Sequence, residues 1–140
     1  QAFRDAESIF RRRDNTLGRI DALNRLAGIY FRETRFALSL ELLLEAAEAA
    51  RRDNLQKKLV VLFGNIGRLY SLMGKLESAK EYLRLCDELC QKVGDIRESL
   101  RARLSLGYVL MQQTHFAEAA RIFDDIQPQT CRFCNSAELQ

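Results

Sequence analysis

A forty-residue repeat runs through the chain and decides what it can fold into. At that offset Leu26, Ile66 and Leu106 align, then Ala27, Gly67 and Gly107, then Tyr30, Tyr70 and Leu110. Phe36, Leu76 and Phe116 follow, with Ser39, Ala79 and Ala119, and last Leu43, Leu83 and Phe123. A unit that recurs at one spacing cannot bury its apolar face alone and must stack on its neighbours. A plain bundle core has no need of such a period.

Each unit reads as two helices. Phe63, Ile66, Gly67 and Tyr70 fall at i, i+3, i+4 and i+7, which is one helix face. Leu76, Ala79, Leu83 and Cys86 form a second stripe at helical spacing. First helices are predicted over 17–33, 56–73 and 97–113, and second helices over 36–52, 76–93 and 116–126. Gly74 and Gly94 supply stops, and Asp95 with Glu98 spells a capping box. Asn15 and Asn54 are placed to cap the other two first helices, and Pro128 ends the last helix. Short connections make successive helices antiparallel. Gly67 and Ala79 mark the close crossing inside a unit, and Tyr70 fills the space between units.

The boundaries follow: repeats over 16–54, 55–94 and 95–127, flanked by 1–15 and 128–140. Ala2, Phe3, Ala6, Ile9 and Phe10 form a helical stripe, so 1–15 reads as the second helix of a truncated upstream repeat. Ser136 to Leu139 can open a further first helix. With no initiating methionine, the chain reads as a slice of a longer protein. The expectation is seven helices over more than about 65% of the chain and no sheet.

Composition narrows the function. The 140 residues suit one domain, and a single proline fits a helical protein. No stretch reaches the ~18 apolar residues of a membrane span, and no signal peptide is read. Lys and Arg total 22 against 19 Asp and Glu, and a net charge of +3 gives no case for nucleic acid. Units one and two also do not repeat the residues expected in the groove, as a base-reading array would require.

Four cysteines split into Cys86 with Cys90, stacked on one helix face, and the pair Cys131 and Cys134. A zinc site needs four ligands, and the one histidine, His115, lies by a turn. No metal or other cofactor is expected, and reduced thiols fit a cytoplasmic protein. Glu41, Glu45 and Glu48 share a helix face but read as solvated, with Arg51 and Arg52 as pairing partners. No phosphate loop and no nucleophile motif is present, so the chain reads as non-enzymatic.

Leu26-Ala27 with Tyr30, and Ile66-Gly67 with Tyr70, Gly74 and Ala79, resemble the tetratricopeptide repeat (TPR). Its tryptophan position holds Leu23, Phe63 and Arg103, and its last small position holds Ala46, Cys86 and Ile126. The common repeat has 34 residues, and the longer unit here is similar to those of kinesin light chains and many bacterial regulatory proteins. The resemblance implies an all-α fold, a right-handed α-solenoid of antiparallel helix pairs forming a superhelix of about three and a half repeats. It also implies a binding module whose first helices line a concave groove.

First helices carry nine basic and three acidic residues, and second helices six basic and ten acidic, so the groove should be positive. The candidate partner-binding residues are Asn24, Phe31, Asn65, Arg68, Arg101 and Tyr108, flanked by Asp21, Gly28, Val61, Gly64 and Ser105. In relatives that clamp a chaperone's terminal carboxylate, Asn65 and Arg101 match the clamp, whereas Asn24, Gly28 and Ser105 depart from it. Arg68 and Arg101 are read as a pair that repels until a partner carboxylate fills it, unless Asp21 or a neighbouring acid neutralises them. The expected partner is a protein or peptide of acidic character, with self-association through the open repeat ends. The alternative is a regulatory, effector-sensing or self-association segment of a larger signalling protein or transcription regulator.

Overall fold

Residues 2–126 are described by the computed structural model, and among them there are six helices and no strand. Helix α1 spans Ala2–Arg32, α2 Phe36–Arg52, α3 Gln56–Leu72, α4 Leu76–Val93 and α5 Ile96–Gln112. A sixth, α6, covers 116–126. Helix accounts for 88% of the described residues. Each of α1 to α4 packs on the next, and α3 also touches α5. Sequence neighbours are thus space neighbours, which makes the fold an all-α solenoid.

One turn recurs every twenty residues. Thr34, Asn54, Gly74, Gly94 and Thr114 all adopt positive φ, between 55° and 78°. In each case the next N–H reaches back five residues: Arg35 to the Tyr30 carbonyl, Leu55 to Ala50, Lys75 to Tyr70, Asp95 to Cys90 and His115 to Leu110. This left-handed residue and its long return bond close the orphan carbonyls of a helix end. Asn54 therefore serves the turn and not the cap, a correction to the expectation above. The N-cap of α3 is Leu55, with no side-chain bond. Asp95 does cap, its Oδ1 accepting from the Glu98 N–H at 3.0 Å.

A second correction concerns Asn15. No helix begins there, because α1 runs unbroken through it, and the seven expected helices become six among the described residues. No proline interrupts Ala2–Arg32. Asp53 accepts hydrogen bonds from Arg12 and Thr16, on both sides of the expected break. These two bonds and the Arg12 charge hold the Asp53 carboxyl below its ordinary range. Pro128, the Cys131–Cys134 pair and the segment 136–139 lie outside the described residues.

The repeated positions build the core. Ala27, Ile66, Ala79, Leu83, Leu110 and Ala119 are all buried. A Cβ on Gly67 would lie 2.7 Å from Leu83 Cγ, and one on Gly107 would lie 2.6 Å from the Phe123 ring. The two glycines thus set how closely the helices of a unit cross. Tyr70 packs against both the core around Ile66 and the core around Leu83 and Leu110, bridging units. Its ring stands 5.6 Å from that of Tyr82. Cys86 and Cys90 are buried with sulfurs 3.9 Å apart, and the Cys86 thiol reaches the Val60 carbonyl. Burial pushes both thiols up, Cys90 to about 11, so neither carries a thiolate near neutral pH. Both are core residues, and Cys86 stands at the last small position of the repeat.

Candidate functional site: a groove across the first helices

Helices α1, α3 and α5 lie side by side, so residues one repeat apart form rungs across them. A groove of about 490 Å³ opens on this surface. Asn24 and Phe31 come to it from α1, Asn65 and Arg68 from α3, and Arg101 and Tyr108 from α5. All six residues singled out in the sequence therefore border one cavity, together with Gly28 and Ser105. Asp21, Val61 and Gly64 do not border it.

The rim carries large apolar side chains, and the buried base combines Ala27, Leu43 and Leu69 with one polar residue, Ser39. Phe31, Leu72 and Tyr108 are exposed large hydrophobic side chains at its edge. Ser39 sits at the base, its hydroxyl donating to the Ala27 carbonyl at 2.8 Å. A ladder of polar groups crosses the units. Asn65 Nδ2 donates to Asn24 Oδ1 at 3.4 Å, and Arg68 Nη2 donates to Asn65 Oδ1 at 2.6 Å. Among the described residues, Arg68 and Arg101 are the only charged ones in the lining.

The two arginines are not an isolated pair. Glu98 lies between them, with Oε1 3.4 Å from Arg68 Nη1 and Oε2 3.4 Å from Arg101 Nη1. Glu98 is buried and does not border the groove. It stands behind the arginines, so the three side chains together carry one net positive charge. Glycine at position 64 leaves room for it, since a Cβ there would meet Glu98 Oε1 at 2.7 Å. In the sequence Glu98 reads only as the capping-box residue. The available signal is spacing: Glu98 precedes Arg101 by three residues and shares its helix face.

Three other first-helix cations, Arg19, Lys58 and Arg103, do not border the groove and pair with acids elsewhere. Arg19 bonds Glu45 on α2, and Arg103 bonds Asp87 on α4. Lys58 holds Asp21 at 2.8 Å, which removes Asp21 as the neutralising acid for Arg68 and Arg101. Sequence reasoning also misses Ser39, Leu43, Leu69, Ser71 and Leu72 in the lining. Leu72 is within its reach, because it continues the face of Asn65 and Arg68 at i+7 and i+4. Among the described residues no cluster of histidine, cysteine or carboxylate side chains could hold a metal ion. No described helix is long and apolar enough to cross a membrane.

Known structures share this architecture. The apo form of RapI matches with a TM-score of 0.77 at 19% identity, over 81% of this chain and 32% of RapI. A putative kinesin light chain from Podosopora anserina with nearly identical TPR-like repeats matches at 0.70 and 15% identity, over 83% of this chain and 57% of the other. A point variant of that same kinesin light chain matches at 0.72 and 15%, over 84% and 57%. The chain thus spans about a third of RapI and somewhat over half of the other two. No curated protein sequence matches. The Tetratricopeptide repeat family profile matches residues 18–92. With that stretch covering more than half of the sequence, and helix pairs stacked as in these structures, the chain belongs to the tetratricopeptide repeat family.

Proposed function

We propose that the chain is a non-enzymatic interaction module whose groove binds a peptide or helix of a partner protein, with an acidic residue of that partner set against Arg101 and Arg68. One observation carries this reading. A single groove gathers three exposed hydrophobic side chains and only positive charge. Apolar walls supply contact area, and a few placed polar groups fix orientation. Arginine is the donor best matched to a carboxylate. The excess of one positive charge over Glu98 suits one added carboxylate. Reduced core thiols fit a cytoplasmic setting.

A second reading, a regulatory segment that senses an effector, is favoured by the bridge from Arg68 on α3 to Glu98 and Arg101 on α5. A ligand that draws on those arginines acts on the seam between two units.

A displayed library of random peptides, panned on the purified protein, tests the proposal. Enrichment of sequences with one Asp or Glu beside large hydrophobic residues is expected. Their binding should fall about tenfold or more in Arg101→Ala, since a charged hydrogen bond contributes about 1.5–3 kcal/mol. Arg101→Ala leaves Arg68 on Glu98, so the melting curve should hold. Replacing both arginines would strip the buried Glu98 of its partners and unfold the seam. Enriched peptides that bind Arg101→Ala and Tyr108→Ala as tightly as the parent would overturn the proposal.

A further inference from the structure

The seam between α1 and α3 is more open than the seam between α3 and α5. Helices α3 and α5 pack directly, whereas α1 and α3 meet far less. Asp21 with Lys58, and Asn24 with Asn65, bridge α1 and α3. Past the asparagines, toward the helix C-termini, no hydrogen bond joins these two helices among the described residues.

One repeat position differs between the seams. Gly28, Arg68 and Tyr108 are equivalent in the forty-residue register. The Arg68 side chain crosses from α3 to Glu98 on α5 and so spans its own seam. Tyr108 sets its ring 5.7 Å from that of Phe123. Gly28 has no side chain to do either, and a Cβ there would meet nothing within 4 Å. Packing therefore does not require glycine at 28, unlike at Gly64, Gly67 and Gly107, where a Cβ would strike a neighbour. Glycine inside a helix is otherwise unfavourable.

At this point the groove sinks between α1 and α3 as far as α2. Gly28 and Phe31 on α1, Ser39 and Leu43 on α2, and Leu69 and Leu72 on α3 form a recess in it. Ala79 and Leu83, the counterparts of Ser39 and Leu43 one unit on, do not border the groove. Phe31 and Leu72 are 43% and 58% exposed at the mouth. Ser39 gives its hydroxyl proton to the Ala27 carbonyl. Water in such a recess meets mostly carbon, so an apolar guest that displaces it is favoured. The cationic end of the groove is close by. Arg68 stands one turn before Leu72 on α3 and leans back to Asn65.

We propose that this recess is an anchor pocket for one large apolar side chain of the partner peptide whose acidic residue lies against Arg101 and Arg68. The inference rests on the groove reading above and adds a second determinant to it, set by the missing side chain at position 28. The positive charge beside the recess makes the occupant an acidic peptide with an apolar anchor, and selects against a purely apolar one. The acid gives orientation, and the anchor gives buried area.

The probe is a peptide enriched on the parent protein from the random library and resynthesised singly. Changing its large apolar residue to alanine should weaken binding to the parent about tenfold or more, as expected for loss of a buried side chain. Gly28→Leu fills the recess, and its Cβ clears every neighbour, so its melting curve should hold. That variant should bind the unaltered peptide about tenfold or more weakly. It should be nearly indifferent to the alanine change in the peptide, yet still respond to loss of the peptide's acid. Gly28→Ala and Gly28→Val carry the same test in smaller steps, with affinity falling as the side chain grows. A flat series, with the preference for the large apolar residue intact, would overturn the anchor pocket and leave the groove reading standing. Peptides whose binding ignores Arg101→Ala would overturn both.

Discussion

Gly67 and Gly107 occupy equivalent positions but meet neighbours of different stiffness. A Cβ at Gly67 would press on Leu83 Cγ and Cδ2 and stand 3.3 Å from the Leu83 backbone nitrogen. One at Gly107 would press on the far edge of the Phe123 ring, which is only half-buried. A ring edge swings aside more easily than a branch point close to backbone. Gly67→Ala should therefore lower stability by about 1–3 kcal/mol, whereas Gly107→Ala should be close to neutral once the helix preference of alanine is counted. Gly67→Leu should cost more than either. Urea denaturation of the three variants checks the ranking, and equal losses at the two glycines would refute it. The small residues at these crossings are legible in the sequence because the repeat places them opposite large ones. The role of Glu98 is not, since it depends on Arg68, thirty residues away on another helix. Sequence periodicity reports which face a residue occupies, but not which side chain it meets there.

The turns show how an element can be correctly bounded for an incorrect reason. Helix ends fall within a residue or two of the expected ranges everywhere except at the start of α1. Yet Asn54 ends a helix in the left-handed region and does not begin the next one as a cap. Asparagine serves both purposes, so composition alone leaves the choice open. The structure resolves it through the twenty-residue spacing of all five turns. Two of them place threonine at positive φ, where a β-branched residue is strained. Thr114→Gly should raise stability by about 1 kcal/mol, a strain relief partly offset by the entropy of glycine in the unfolded chain. Gly74→Thr should lower it. Paired thermal melts of these two variants read the sign directly, and a Thr114→Gly protein that melts below the parent would show the turn to be unstrained.

At the scale of the molecule, each unit leans only on its neighbours, so stability is greatest where a unit has two of them. Ile66 and Leu69 on α3, and Leu83 and Cys86 on α4, are buried to within 1%. Amide hydrogen exchange should be slowest in 59–69 and 83–90 and should speed up along α5 into α6, in steps rather than all at once. Uniform protection from α3 to α6 would mean that the stack opens as one cooperative body. The stacked architecture is legible in the sequence because repetition constrains a whole molecule more tightly than local propensity does. The uninterrupted α1 is not, because the repeat pattern places a turn at a position that this arrangement leaves helical. The matching turns carry one more consequence, for how such a protein can change its length. Residues 55–94 begin and end at equivalent turns, so the segment is a cassette. Copied in tandem, it would join Gly94 to a second Leu55 through a turn of the kind already present. The new seam would set Cys86 and Cys90 against Leu62 in place of Ala102. Gene duplication in steps of forty codons can thus lengthen the groove by whole rungs, whereas one or two residues inserted inside a helix would turn the core face beyond them toward solvent.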